Sequence, residues 1–457
     1  MLTDFKCLHM NWKQLISYKR FGKEDSHKQD TERRTEFQRD YDRLIFSAPF
    51  RRMQNKTQVF PLPGSIFVHN RLTHSLEVSS VGRSLGTDIA RELMLLHPEL
   101  AQTEIATIGS IVSAACLAHD MGNPPFGHSG ERAICSYFSE GNGKMLKDYR
   151  TTEGDCLTDG EWQDITCFDG NANTFRLLTH QFEGRRPGGF VMTYSTLAAI
   201  VKYPYSSALC QKKPKFGFFE SEKEDFLKIA TELGMPCEHI GDSIRSVRHP
   251  LVYLVEAADD ICYEIMDIED AFKLRLISEE ETADLYLGFF TKDYQDVLRR
   301  SYPETEGNDR IAYLRSCVIN ALEQACVRIF VENEATLLEG QFEGTLIDHL
   351  PEPLRSAYRK CEEVAHRRIY RSKEVTDIDL AGYRILYTLL DLMTEAVLEP
   401  EKAYSRLLLE QVSDQYQLRA SRLADRIMAV LDYISGMTDV YALNLYRKIN
   451  GHSLPSV

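Results

Sequence analysis

Residues 114–131 read AACLAHDMGNPPFGHSGE. The first half is apolar and helix-forming, and the second is a Gly/Pro loop carrying two histidines, an aspartate and a glutamate. Gly122 stands where a helix C-terminus favours a residue without a Cβ. The predicted helix therefore closes on His119 and Asp120, and the chain turns back with His128 and Glu131. Adjacent helical side chains point about 100° apart and do not normally meet, but in a fraying last turn both can face one ion. Upstream, residues 105–119 are apolar nearly all round, the pattern of a helix buried inside a bundle. The fold class expected from this stretch is all-α.

The neighbouring segments agree. Residues 74–97 carry Leu76, Val81, Leu85, Ile89 and Leu93 at three- to four-residue spacing, and 250–272 form a third strong helical pattern with Pro250 suited to its first turn. From about 279 to 450 long amphipathic patterns recur, as in 380–398 and 418–437. Two stretches resist a helix. Residues 141–169 are rich in Gly, Asp and Thr and read as an irregular insertion, and Arg-Arg-Pro-Gly-Gly at 185–189 reads as a turn for a short β-hairpin. The expected organisation is an N-terminal segment (1–30), a catalytic core (31–275) with an insertion near 141–169, and a helical C-terminal region (276–457) packed on the core.

The 457 residues are 43% hydrophobic and 27% charged, as in a soluble globular protein. No apolar run reaches the length of about 18 residues that a membrane span needs, and the N-terminus lacks the pattern of a signal peptide. Eleven cysteines without a CxxC pair predict reduced thiols and a cytoplasmic location. A net charge of −14 argues against a protein that coats nucleic acid. Single-stranded DNA is thus a conceivable partner that the charge does not support. A local Lys/Arg cluster could still hold an anionic substrate.

A metal site needs convergent ligands. His74 lies at the start of one predicted helix, which Asn70 or Thr73 could cap, and His119-Asp120 closes another. On a wheel of the 250–272 helix, Leu254, Val255, Ala258, Ile261, Cys262 and Ile265 form the apolar stripe. Asp259 lies at its edge, with Tyr263 and Asp267 following on the same seam, and Asp260 faces solvent or a neighbouring helix. A single buried histidine is more often a hydrogen-bonded core residue than a ligand, and Tyr263 alone reads as well as a core aromatic. The combination of His, His-Asp and Asp on three separate helices is what points to an ion. Two imidazoles and two carboxylates suit Mn²⁺, Mg²⁺, Fe²⁺ or Co²⁺.

His74, His119-Asp120 and Asp259 together resemble the signature of the HD-domain metal-dependent phosphohydrolases. Six motifs in order, RRTEFQRDYDRLIFSAPFRRMQNKTQVFPL (33–62), NRLTHSLEV (70–78), AHDMGNPPFGHSGE (118–131), FDGNANTFRLL (168–178), YLVEAADDICYEIMDIEDA (253–271) and GMTDVYALNLY (436–446), are similar to those of the deoxyguanosinetriphosphate triphosphohydrolases. The resemblance implies an all-α fold and hydrolysis of dGTP, or of dNTPs more broadly, to deoxynucleoside and intact triphosphate. It implies a divalent cofactor, with Ni²⁺ added to the ions above, and a homo-oligomer, commonly a hexamer. By the same resemblance His74, His119, Asp120 and Asp259 match the metal ligands, and His128 and Glu131 the catalytic pair. Gln54 and Asp267 match residues that hold the sugar 3′-hydroxyl, and Tyr263 the aromatic against the deoxyribose. Arg71, Lys202, Tyr203 and Lys215 match positions near the phosphates, and Asn171 lies in a family motif. Residues 141–169 match none of the motifs, and base selectivity would sit in such a loop.

The expected chemistry is attack of water at the α-phosphorus. The 5′-alkoxide leaves poorly without a proton, and His128, oriented by Glu131, could supply it or could instead deprotonate the water. Two other readings are an HD phosphohydrolase of nucleoside monophosphates or cyclic nucleotides, and a catalytically silent nucleotide-binding regulator.

Overall fold

Three helices cross where glycines let them touch. The computed structural model, which describes residues 9–25, 34–59, 68–210, 215–301 and 307–452, places helix Arg71–Leu96 against helix Ile108–Ala118, and helix Val252–Lys273 across both. A Cβ on Gly82 would stand 2.4 Å from Cys116 Sγ, and one on Gly86 2.9 Å from the Gly109 Cα. Side chains at these positions would push the first two helices apart, and with them the histidines they carry. Asn70 starts the first of these helices with a capping box, exchanging hydrogen bonds with Thr73. The predicted buried helix is Ile108–Ala118, buried at every position but Ser110 once its preceding 3₁₀ turn Glu104–Thr107 ends.

Around this centre, helix Glu36–Ile45 covers Ile108–Ala118, and helices Asn308–Glu332 and Leu354–Arg368 cover Val252–Lys273. One large hydrophobic cluster runs through these elements. A second cluster joins helix Gly127–Ser139 to helices Lys373–Leu398, Leu423–Ser435 and Asp439–Ile449. Among the described residues the fold is all-α apart from one antiparallel hairpin. Among the described residues no helix is long and apolar enough to cross a membrane.

Two expectations are corrected. The hairpin is not built on 185–189 but pairs Cys237–Ile240 with Ser243–Ser246 around Gly241. The 185–189 turn is instead pressed onto the N-terminal segment: a Cβ on Gly22 would meet the Gly188 Cα at 2.5 Å. Nor is 141–169 wholly irregular. It contains a 3₁₀ turn, Asn142–Lys147, and a helix, Asp159–Thr166, started by a Thr158/Glu161 capping box. Thr158 and Asp159 are the cap and first turn of this helix, and Thr158 Oγ1 accepts the free Glu161 amide. Of the first motif, residues 33 and 60–62 lie outside the described residues.

Candidate active site

Helix Ile108–Ala118 ends one residue before His119, and His119-Asp120 occupy the following turn. Three hydrogen bonds pin that turn: Thr174 Oγ1 donates to the His119 carbonyl at 3.1 Å, the Gly122 amide donates to Thr174 Oγ1 at 3.0 Å, and Asn173 Nδ2 donates to the Gly122 carbonyl at 2.6 Å. There is no space for a side chain at Gly122, whose Cβ would stand 2.2 Å from the Thr174 nitrogen. The chain then passes through Phe126, whose φ of 62° is rare for an aromatic residue. Asp439 Oδ1 accepts the Phe126 amide at 2.9 Å, so helix Asp439–Ile449 holds the turn that launches helix Gly127–Ser139.

His74, His119 and Asp259 offer ligand atoms within 4.8 Å of one another. His74 Nε2 lies 3.1 Å and His119 Nε2 3.4 Å from the same oxygen, Asp259 Oδ1. His119 Nδ1 sits 2.6 Å from the Cys116 carbonyl. A carbonyl can only accept, so Nδ1 carries the proton and Nε2 is left to face the cluster. That Nε2 is buried and makes no hydrogen bond. Burial opposes charge on His119, but the Asp120 and Asp259 carboxylates outweigh it and push its pKa up to about 9. The site therefore attracts positive charge, and its donors fit a divalent cation, which would replace that proton. Asp120 is turned partly away. Its Oδ2 accepts from Arg71 at 2.5 Å, its Oδ1 accepts from Asn123, and Oδ1 is 3.7 Å from His119 Nε2.

One cavity of about 290 Å³ opens on this cluster. His119, Asp120 and Asp259 line it together with His128, Glu131, Arg71, Asn171, Lys202, Tyr203, Lys215 and Tyr263. His128 is exposed and pairs through Nδ1 with Glu131 Oε2 at 2.9 Å. Glu131 is buried, and its other oxygen accepts the Gly170 amide at 2.7 Å. Burial raises the Glu131 pKa, but the hydrogen bond from His128, with Lys215 and the Gly170 amide, overrides it and holds the carboxyl ionised down to about 2. Lys215 Nζ lies 3.2 Å from Asp169 Oδ1 and 3.6 Å from Glu131 Oε2. Lys202 Nζ lies 3.1 Å from Glu256 Oε1, and Asn171 Nδ2 donates to Asp169 Oδ1 at 2.9 Å.

Two expected residues stand elsewhere. Gln54 is exposed on the 3₁₀ turn Met53–Asn55 and does not line the cavity. The backbone extends again at Lys56, and this carries Gln58 to the wall instead, with its Oε1 buried and without a partner. Asp267 lies behind the wall, accepting from the Tyr370 hydroxyl at 2.8 Å, and burial raises its pKa to about 8. Tyr370 also stacks on Tyr263, with centroids 5.9 Å apart. Asp260, next to Asp259, is half-buried, and its backbone carbonyl accepts from the Tyr358 hydroxyl at 2.9 Å.

Gln58, Asp169, Glu256 and Tyr370 escaped the sequence reading. Glu256 lies three residues before Asp259 on one helix and Asp169 inside the FDGNAN motif, so both had a local signal. Tyr370 is more than a hundred residues from Tyr263 and had none.

Residues 349–448 match the family described as phosphohydrolase-associated domain. The chain is 39% identical to a deoxyguanosinetriphosphate triphosphohydrolase-like protein of Pseudomonas aeruginosa, over 98% of this chain and 100% of that protein. It is 36% identical to a protein of the same description from Synechocystis, over 97% and 100%. It is 30% identical to a deoxyguanosinetriphosphate triphosphohydrolase of Yersinia enterocolitica, over 96% and 99%.

Proposed function

The chain belongs to the deoxyguanosinetriphosphate triphosphohydrolase family, and we propose that it hydrolyses dGTP, or dNTPs more broadly, to deoxynucleoside and inorganic triphosphate by attack of water at the α-phosphorus. The observation that carries this reading is the shared cavity: the His119–Asp259 cluster and the His128–Glu131 pair open on the same space. His74, His119, Asp120 and Asp259 would hold the ion, Asp120 from its place beside Arg71. Mn²⁺ or Mg²⁺ would supply positive charge at the α-phosphate and make a water acidic enough to attack near neutral pH.

The rest is the work of this chain's own groups. His128 hands a proton to the departing 5′-oxygen, which leaves poorly as an alkoxide. Glu131, ionised and anchored by the Gly170 amide, keeps the proton on His128 Nδ1 and directs Nε2 into the cavity. Arg71, Lys202, Tyr203, Lys215 and Asn171 meet the triphosphate. Lys202 and Lys215 already rest against Glu256, Asp169 and Glu131, so they are positioned before substrate arrives. Tyr263 packs against the deoxyribose and leaves no room for a 2′-hydroxyl. Asp267 acts through Tyr370 and Tyr263, and the unpartnered Gln58 takes the place first expected of Gln54.

The same proposal includes a core over 31–275 with 276–457 packed on it, a homo-oligomer with a hexamer as the expected form, and a cytoplasmic setting, which the ten free described cysteines suit. The deciding experiment is incubation of the pure protein with each dNTP and NTP and Mn²⁺ or Mg²⁺, with products separated by ion exchange. Release of intact triphosphate and deoxynucleoside is expected. Orthophosphate would favour the alternative phosphohydrolase, and binding without turnover the silent regulator.

A further inference from the structure

We propose that Arg248 is a positioning residue for Lys202: it holds the lysine by its main chain and by its ammonium, and it keeps Glu256 paired when that ammonium turns to the triphosphate. The proposal rests on the reading that Lys202 meets the triphosphate. Arg248 itself does not line the cavity. It stands in the link between strand Ser243–Ser246 and helix Val252–Lys273, and Lys202 lies just beyond helix Tyr194–Ile200.

The hairpin sets the placement. Its second strand runs antiparallel to residues 204–206: the Ser206 amide donates to the Ile244 carbonyl at 3.0 Å, and the Ser246 amide donates to the Pro204 carbonyl at 2.8 Å. Two residues further along each chain the next rung would join 202 to 248. A side chain makes it, with Arg248 Nε donating to the Lys202 carbonyl at 3.1 Å. The guanidinium is itself held, lying 4.5 Å over the Tyr253 ring and donating through Nη1 to the Gly344 carbonyl at 3.4 Å. The Tyr253 hydroxyl donates in turn to the Phe342 carbonyl at 3.0 Å.

Glu256, buried near the start of helix Val252–Lys273, closes the ring. Its Oε1 lies 3.1 Å from Lys202 Nζ, and its Oε2 accepts from Arg248 Nη2 at 2.8 Å. Among the described residues these two cations are the carboxylate's only hydrogen-bond and ion-pair partners. Lys215 is held differently. Its partner Asp169 also accepts the Asn171 and Phe216 amides, which stay when the lysine moves. Glu256 has no amide, so without Arg248 a departing Lys202 would leave it buried and unpaired, the costly case for an ion in an interior.

Arg248 therefore does two things to Lys202. Through the main chain it fixes where the side chain starts. Across the shared carboxylate its positive charge repels the ammonium and weakens the grip of Glu256, so the lysine is placed but not trapped. A contact to the phosphates that exists before and during reaction acts on KM rather than kcat. Losing Arg248 should thus weaken substrate binding and leave the chemical step alone. Arg248→Lys would keep the charge but not the planar fork that spans the Lys202 carbonyl, the Gly344 carbonyl and Glu256.

The test measures triphosphate release in the full chain and, separately, the rate at which acetic anhydride labels the Lys202 amine, mapped by mass spectrometry. Arg248→Met should raise KM about tenfold or more, the worth of one charged hydrogen bond, with kcat little changed. Its Lys202 should be labelled more slowly, because an unshared Glu256 holds the ammonium tighter. Arg248→Lys should recover part of the KM. Arg248→Met combined with Glu256→Gln should label Lys202 faster than the parent and bring KM back towards it, since no charge is left bare; a merely structural arginine would make the double variant worse. Unchanged KM in Arg248→Met, a fall in kcat alone, unchanged labelling, or a double variant more impaired than the single one would each overturn the proposal. If Arg248→Met does not fold, Arg248→Lys and the double variant carry the same comparison. If the unaltered chain releases no triphosphate, the hydrolytic reading fails while the labelling still decides whether Arg248 acts on Lys202.

Discussion

Glu131 holds His128 Nδ1 at 2.9 Å with one carboxylate oxygen and takes the Gly170 amide at 2.7 Å with the other. The buried carboxylate is thereby fixed to the scaffold at one end and orients an exposed imidazole at the other. His128→Ala should keep its metal and fold but lose about 10²–10⁴-fold in kcat, the usual worth of acid–base help, with KM little changed. Glu131→Gln alone should be milder, and in the His128→Ala background should cost little more, because the two act as a unit. The check is a double-mutant cycle on kcat with metal content measured in every variant. Fully additive losses would show that Glu131 does not work through His128.

Removing a ligand should empty the site. His119→Ala and Asp259→Asn are expected to lose bound transition metal and nearly all turnover. Full occupancy in both variants by elemental analysis would refute the ligand assignment.

Sugar selectivity should follow Tyr263, which Tyr370 backs from behind. The unaltered enzyme should discriminate strongly against GTP relative to dGTP in kcat/KM, and Tyr263→Ala should narrow that ratio while weakening dGTP. Equal rates on GTP and dGTP in the unaltered enzyme would place Tyr263 elsewhere.

Stability should depend on a buried ion network between the two hydrophobic clusters. Arg176 donates to both Asp432 oxygens at 2.9 and 2.8 Å and to Glu222 at 2.6 Å. Arg176→Met leaves two buried carboxylates without their cation and should cost about 3–5 kcal/mol, as breaking a buried pair does. Urea denaturation measures it, and a loss under 1 kcal/mol would contradict the network's role.

Glu264 gives a pH signature. Burial, reinforced by Asp267 and other acids, pushes its carboxyl up to about 9, and its Oε1 is buried without a partner. A raised carboxyl means the folded state binds the proton more tightly than the unfolded state. Its contribution is therefore present at low pH and falls away as pH rises from the ordinary glutamate range towards 9. Glu264→Gln should stabilise the protein at pH 9 and flatten the Tm profile between about pH 5 and 9 relative to the parent. An unchanged slope would show that Glu264 does not titrate in that window.

Much of this was legible in one dimension. Helical periodicity marked the three central helices, and the change from apolar run to Gly/Pro loop located His119, Asp120, His128 and Glu131, because a helix end is a local event written in neighbouring residues. The wheel chose Asp259 over Asp260 for the same reason. One local signal misled, since Thr158 and Asp159 are the cap and first turn of a helix rather than loop formers, and Gln54, matched by the family motif, stands off the cavity wall that Gln58 lines.

What tertiary structure alone decided is pairing across distance. Nothing near Tyr263 in the chain announces Tyr370, and nothing near Phe126 announces the Asp439 carboxylate that holds its left-handed turn. Secondary structure is set by each residue and its close neighbours, whereas these contacts exist because packed helices bring remote positions to one point, with Gly82, Gly86 and Gly109 setting how near the first two helices can come.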